Sequence, residues 1–382
     1  MWAFMISAAA VAVLIYAGLR TYPVLGGRAP AERRQLLRQS ENYREGKFMN
    51  QIPTVMEKSL KENAKMMADF IKGNPRGRPE QPLAVETYRP ALPNLGRSIV
   101  ADGSTTEGAS PRVTWFGHSA VLIELEGKTL FCDPMLGRTP SPFPLFGGKR
   151  YGSRLPAEIE DLPPIDVVLL SHDHYDHLDY GSIRKLKDKV QRFFVPLGVG
   201  AHLIRWGVSA EKIEEHDWWE ETAYLGLTLA CTPARHFSGR SLSDRDATLW
   251  CSWVIRGQES SIFFSGDSGY GPHFAEIGRA YGPFDLTLME CGQYDPRWAV
   301  IHMLPEETVQ AHQEVRGKAL LPIHWGAFTL ALHDWTDPVE RLAEAARSRD
   351  VALCTPRIGE TVHIGSSVLP SSPWWRSVTT AK

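Results

Sequence analysis

What this chain has little of narrows the field before anything it contains. Its five cysteines, Cys132, Cys231, Cys251, Cys291 and Cys354, are an odd number, widely spaced and without a CxxC pair. That excludes a secreted disulfide framework, and they read as reduced core thiols of a reducing compartment. No cysteine precedes Cys132, so a lipid-modified N-terminal cysteine is excluded as well. An excess of either charge is also missing. With 42 Lys and Arg against 44 Asp and Glu, the net charge is −2, which speaks against nucleic acid as a partner. Short-period repeats and low-complexity tracts are absent too, so repeat arrays and disordered tails drop out.

Charge is absent altogether from Met1 to Leu19, a stretch that includes Val-Ala-Val-Leu-Ile-Tyr and approaches the ~20 apolar residues that cross a bilayer. The positive residues come after it, at Arg20, Arg28, Arg33, Arg34 and Arg38. This order predicts a retained anchor over 1–20 in the inner or plasma membrane, with the globular part in the cytoplasm; a cleaved signal or a buried helix are the other readings. Residues 21–110, rich in Pro and Gly toward their end, predict a connecting arm. Within it, Thr54-Val-Met-Glu57 has capping-box spacing, and Met56, Leu60, Met67, Phe70 and Ile71 fall near one face before Gly73. That helix packs on the main domain or faces a membrane or partner.

A hydrophobic fraction of 43% supports a substantial core. From Arg112 the pattern becomes short strands: Val113–Phe116, Ala120–Glu124, Thr129–Cys132, Val167–Leu170, Phe193–Val195, Leu227–Cys231, Thr248–Ile255, Ser261–Ser265, Leu286–Met289 and Ala319–Ile323. Helical stretches are expected near 182–189, 273–281, 305–317 and 338–348. Two strand clusters with interspersed helices predict an α/β fold, an αββα sandwich, over 111–365, with a C-terminal tail at 366–382.

The densest chemistry lies in His172-Asp-His-Tyr-Asp-His177, directly after the apolar run Asp166-Val-Val-Leu-Leu-Ser171. Imidazole and carboxylate are ligands that Zn²⁺ takes at neutral pH, and one ion could not accept four from so short a loop. Two ions are the natural reading; a polar surface loop rich in histidine is the plainer one. Further candidates stand at later strand ends, in Pro233-Ala-Arg-His236, Phe264-Ser-Gly-Asp267 and Pro322-Ile-His324. The glycine before Asp267 lets its carboxylate reach out, so Asp267 is the bridging candidate. Asp173 is read as a support of the loop, Tyr175 as packing or pocket lining, Gly117-His118-Ser119 as a structural turn or a group behind the ligands, the Trp pairs 218–219 and 374–375 as core or interfacial packing, and Lys185, Lys187 and Lys189 as a solvated face.

In this order, His172-x-His174-x-Asp176-His177, His236, Asp267 and His324 resemble the metallo-β-lactamase superfamily. Asp217-Trp-Trp-Glu220, His236-Phe-Ser-Gly-Arg240, Leu249-Trp-x-Ser-Trp253, Gly266-Asp-Ser-Gly-Tyr270, Gly282-Pro-Phe-Asp285, Asp295-Pro-Arg-Trp298 and His324-Trp-Gly326 are similar to its N-acyl phosphatidylethanolamine-hydrolysing phospholipase D family. The similarity spans about residues 110–345. It implies a metallo-β-lactamase-like fold and two Zn²⁺, one on His172, His174 and His236, the other on Asp176, His177 and His324, with Asp267 shared. It also implies His302 near the substrate phosphate. The expected catalytic residues are then Asp176, Asp267 and His302. The expected partners are a membrane phospholipid and the bilayer, with a homodimer left open. The expected reaction is hydrolysis of N-acyl phosphatidylethanolamine to N-acylethanolamine and phosphatidic acid. The alternative is a hydrolase of a lactone or another soluble ester or phosphodiester, because the ligands alone do not choose the substrate. A non-catalytic membrane scaffold fits less well, since an unpaired ligand cluster would be costly to keep.

Overall fold

Short apolar and β-branched runs between residues 112 and 363 pair into two sheets, each seven-stranded. The computed structural model describes residues 18, 21–56, 58–90, 98–99, 105–106, 110–145 and 147–378. One sheet holds β1 (Arg112–Trp115), β2 (Val121–Leu125), β3 (Lys128–Cys132), β4 (Ile165–Leu169), β5 (Val190–Pro196), β6 (Ile213–His216) and β14 (Thr361–His363), in the order β6-β5-β4-β3-β2-β1-β14. The other holds β7 (Glu221–Tyr224), β8 (Leu227–Thr232), β9 (Ser252–Arg256), β10 (Ser261–Phe264), β11 (Leu286–Glu290), β12 (Ala319–Ile323) and β13 (Ala352–Leu353) in chain order. In each sheet four neighbouring strands, β3 to β6 and β10 to β13, pair parallel. Parallel neighbours need crossovers. Between them run α3 (Tyr180–Leu186), α4 (Gly200–Arg205), α5 (His273–Tyr281), α6 (Pro305–Glu314) and α7 (Asp337–Ser348).

The period-two alternation of a strand buries both faces of each sheet. Val113, Ile123, Leu130, Val167 and Leu169 meet Leu229, Ile255 and Ile262 of the second sheet in one apolar cluster. Their sequence neighbours Leu122, Phe131, Val168 and Phe193 point the other way, onto Ile183 of α3 and Leu203 of α4. On the far side Ile277, Val309 and Leu342 bring α5, α6 and α7 into the first cluster. The layers are therefore helix, sheet, sheet, helix, as the strand pattern predicts.

Two local expectations need correction. The strand expected over Thr248–Ile255 begins only at Ser252. Before it, the backbone N–H groups of Leu249 and Cys251 donate to the carbonyls of Leu197 and Ser171, both at 2.8 Å, so this stretch stitches onto loops of the first sheet. The arm helix, α2 (Leu60–Lys72), is capped by Ser59 and Glu62, not by Thr54. Thr54 instead donates to the Ile52 carbonyl and accepts from Arg235 Nε, each at 3.0 Å. Both pairs have the same spacing, and only the one next to the helical run can cap it.

The described arm residues Leu37, which closes α1 (Ala31–Leu37), Phe48, Leu83 and Val85 are buried in the main cluster, and so are Trp374 and Trp375 of the tail. Apart from Gly18, the anchor expected over 1–20 lies outside the described residues. Among the described residues no helix is long and apolar enough to cross a membrane.

Candidate metal centre

All seven expected ligands stand where the chain leaves a strand. His172, His174, Asp176 and His177 follow β4, His236 follows β8, Asp267 follows β10 and His324 follows β12. Parallel pairing of β10, β11 and β12 sets Asp267, Glu290 and His324 at one edge. Gly266 is needed there. Its φ is +56°, and a Cβ would come within 2.6 Å of Ser171 Cβ, so the turn that presents Asp267 tolerates no side chain. His324 itself has φ +64°. Its N–H donates to the His118 carbonyl at 3.0 Å, and the His118 N–H donates to the Trp325 carbonyl at 3.1 Å, which clamps the two sheets together beside the site. Both histidines are thus held in a sparsely populated conformation by their surroundings.

The side chains converge in two trios. His174 Nδ1 lies 2.9 Å from His172 Nε2 and 3.2 Å from His236 Nε2. In the second trio, Asp176 Oδ2 lies 3.5 Å from His177 Nε2 and 4.0 Å from His324 Nε2. Asp267 stands between them. Its Oδ2 is 3.8 Å from both His172 and His236 Nε2 and 3.1 Å from His177 Nε2, while Oδ1 is 3.0 Å from His324 Nδ1.

Behind the trios lies a set of partners that sequence reasoning only partly identified. Asp133 Oδ2 sits 2.6 Å from His177 Nδ1 and accepts from the Ser171 hydroxyl at 2.5 Å. Ser171 Oγ is 2.9 Å from His172 Nδ1, and the Ile301 carbonyl is 3.0 Å from His236 Nδ1. His118 Nε2 pairs with Asp176 Oδ2 at 2.9 Å, and Ser119 Oγ with His324 Nδ1 at 3.1 Å. Such partners hold a ligand ring in one orientation and tautomer. His302 lies at the rim, its ring 5.1 Å from those of His236 and His324, with 11% of its side chain exposed. Glu290, wholly buried, takes His302 Nδ1 at 2.7 Å and the Met303 N–H at 2.8 Å. Neither Asp133 nor Glu290 carries a local sequence signal; each closes a strand that tertiary pairing alone brings to the site.

Burial holds the His172, His174 and His236 rings below the usual imidazole range, with like charges adding to it for His172 and His236. Unprotonated nitrogen is the form a cation binds. Burial opposes ionisation of Asp267, yet His177 and His324 outweigh it and hold the carboxyl well below its ordinary value. Burial likewise opposes charge on His177, but Asp267, Asp176 and Asp133 prevail and raise it. His118 is pushed down to about 3 by burial first and His324 second. For His302, Glu290 overcomes burial and raises the ring, while burial raises Glu290.

These residues fit metal ions. His177 Nε2 and Asp267 Oδ1 are buried and, although they have neighbours at 3.1 and 3.0 Å, make no hydrogen bond of good geometry, a deficit of roughly 1–3 kcal/mol for each such group. A cation shared by the facing lone pairs removes it. The His172, His174 and His236 atoms form one group within ligand reach, and Asp176, His177, His324 and His118 another.

The remaining expectations find plain roles. Asp173 accepts from the Gly239 N–H and Thr248 Oγ1, at 2.8 and 3.0 Å. Tyr175 donates to the Arg240 carbonyl. Trp218 is buried and donates to the Trp250 carbonyl, Trp219 is 38% exposed against Tyr281, and Lys185 pairs with Glu160 at the surface.

The profile described as Beta-lactamase superfamily domain matches residues 128–325. An uncharacterized protein of Mycobacterium tuberculosis is 40% identical over 360 residues, 93% of this chain and 92% of that one. A Caenorhabditis elegans protein named N-acyl-phosphatidylethanolamine-hydrolyzing phospholipase D 1 is 34% identical over 264 residues, 65% of this chain and 74% of that one. Among solved structures, the isothiocyanate hydrolase from Delia radicum gut bacteria is similar with a TM-score of 0.52 at 19% identity, over 66% of this chain and 98% of that one. At that identity the likeness speaks for the fold.

Proposed function

The chain belongs to the beta-lactamase superfamily as a metal-dependent hydrolase, and we propose that it is a di-zinc phospholipase D that hydrolyses N-acyl phosphatidylethanolamine to N-acylethanolamine and phosphatidic acid. The observation that carries this reading is Asp267 reaching both trios at once, an arrangement that suits hydrolysis of a phosphodiester by two ions. The nematode relative's name supports the choice of lipid.

Two zinc ions, held by the trios and by Asp267, would supply a hydroxide at neutral pH and polarise the phosphoryl oxygens. Asp176 and Asp267 orient the attacking water by accepting its hydrogen bonds. Glu290 fixes His302 through Nδ1, leaving Nε2 for the phosphoryl group, where a donor stabilises the charge that develops. His172, His236, Asp267 and His324 are almost fully buried, and the low local dielectric strengthens the interactions among them.

A lipid surface suits the arm. Along α2, Leu60 is 89%, Met67 61% and Ile71 81% exposed, and Lys61, Lys65 and Lys72 share the helix. An apolar stripe bordered by lysines fits an anionic bilayer. The helix is tied to the site's rim by Phe70 stacked on Trp298 at 6.0 Å and by Asp69 paired with Arg297 at 2.9 Å. With the anchor expected over 1–20, we infer a membrane-bound enzyme whose catalytic domain faces the cytoplasm.

The test is mass-spectrometric product analysis of zinc-loaded protein with N-acyl phosphatidylethanolamine in mixed micelles, beside Asp267→Asn. Phosphatidic acid and N-acylethanolamine are expected from the unsubstituted chain alone. Intact lipid with both ions bound would move the assignment to a lactone or another soluble ester.

A further inference from the structure

The loop His172–His177 is braced from behind by a piece of the arm some 150 residues earlier in the chain. Hydrogen bonds at four of these residues hold 22–27 against the domain. Tyr22 donates to the Pro142 carbonyl at 2.7 Å, Trp206 Nε1 to the Pro23 carbonyl at 2.7 Å, Arg240 Nη2 to the Val24 carbonyl at 2.9 Å, and the Gly27 N–H to His202 Nδ1 at 3.0 Å. The fit at Gly26 is close: φ is +80°, and a Cβ would meet His202 Nδ1 at 2.1 Å.

Two of these contacts continue directly into the ligand loop. Arg240, buried, sends Nη1 to the Asp173 carbonyl at 2.5 Å and to the Leu178 carbonyl at 2.8 Å, so one guanidinium joins both ends of the loop to the arm. Its face covers the Tyr175 ring at 4.0 Å. The second contact runs through His202. A backbone N–H can only donate, so Nδ1 of His202 accepts from Gly27 and Nε2 carries the proton. That N–H faces Asp173 Oδ2 at 3.2 Å, and Asp173 lies between the ligands His172 and His174.

We propose that residues 22–27 are a strap that holds the ligand loop in its metal-binding shape, with Arg240 and His202 as positioning residues. The planar fork of Arg240 is what lets one side chain reach Val24, Asp173 and Leu178 together. Neither residue is one of the seven candidate ligands. Their effect is on metal retention and geometry, whichever ester or phosphodiester the site cleaves.

The experiment uses the full chain, loaded with Zn²⁺ or Co²⁺, as Arg240→Lys, His202→Gln and Trp206→Phe. Zinc release to a chromogenic chelator, the visible spectrum of the Co²⁺ form and thermal stability are read together. Loss of outer partners typically weakens metal binding 10–100-fold, so zinc release about tenfold faster or more, with an altered Co²⁺ spectrum, is expected for Arg240→Lys and His202→Gln. Trp206→Phe removes the indole donor to the strap and trims a ring that packs on Arg240 and His202, and it is expected to speed release to a smaller degree; it carries the test if the other two fail to fold. Release at the unsubstituted rate in the folded variants would overturn the proposal.

Discussion

His172 and His236 rest on neutral partners, the Ser171 hydroxyl and the Ile301 carbonyl, at 2.9 and 3.0 Å, whereas His177 rests on the Asp133 carboxylate at 2.6 Å and Asp176 on His118 at 2.9 Å. A carboxylate behind an imidazole makes its other nitrogen a stronger donor. The Asp176 trio also contributes a carboxylate of its own. Two sites made from similar residues are therefore unequal, and the difference lies in what stands behind the ligands. On chelation, the His172 trio should lose its ion first.

Removing the shared group should erase that difference with the largest effect. Asp267→Asn is expected to lower turnover by about a thousandfold or more and to reduce metal content at both trios, read by product formation and elemental analysis. Retained turnover would refute the assignment of Asp267. Asp133→Asn strips charge from directly behind His177, and from behind His172 only through the Ser171 hydroxyl. Its zinc affinity should fall 10–100-fold, levelling the order of loss in a competitive chelator titration; unchanged affinities would break the comparison. Glu290→Gln acts outside both trios. It should lower kcat by about tenfold through misorientation of His302, with KM and metal content unchanged.

The last effect lies away from the metal site, on an imidazole held by packing and one hydrogen bond. His312, buried beside Thr287 Oγ1 at 2.7 Å, is pushed down to about 4 by burial, against about 6.5 for the unfolded ring. Because the folded value is the lower one, its contribution is complete above about pH 6.5 and is lost as pH falls toward 4. It amounts to on the order of 3 kcal/mol. Urea unfolding of the metal-free chain should weaken over that window, and His312→Gln should flatten the dependence.

The ligand set was legible because His172 to His177 is dense and the later ligands follow apolar runs. The core strands were legible for the same reason: β4 and β10 to β12 are mostly apolar segments buried on both faces. The edge strands β6 and β7 escaped notice, because Ile-Glu-Glu-His and Glu-Thr-Ala-Tyr are short and polar. Thr248–Cys251 read as strand because its residue types suit one; its hydrogen bonds go to loops of the opposite sheet. Arg240 stood in a recognisable motif, but its contact with Val24 spans 216 residues.

By itself the sequence determined which residues could bind metal, the order in which they occur and the layers that carry them, since ligand chemistry and hydrophobic period are properties of residue type and spacing. Only the tertiary structure decided that Asp267 meets both trios, that Asp133 and Glu290 stand behind His177 and His302, and that residues 22–27 brace the ligand loop. Those relations are distances between strand ends and loops far apart in the chain, and they exist only once the sheets have paired and packed.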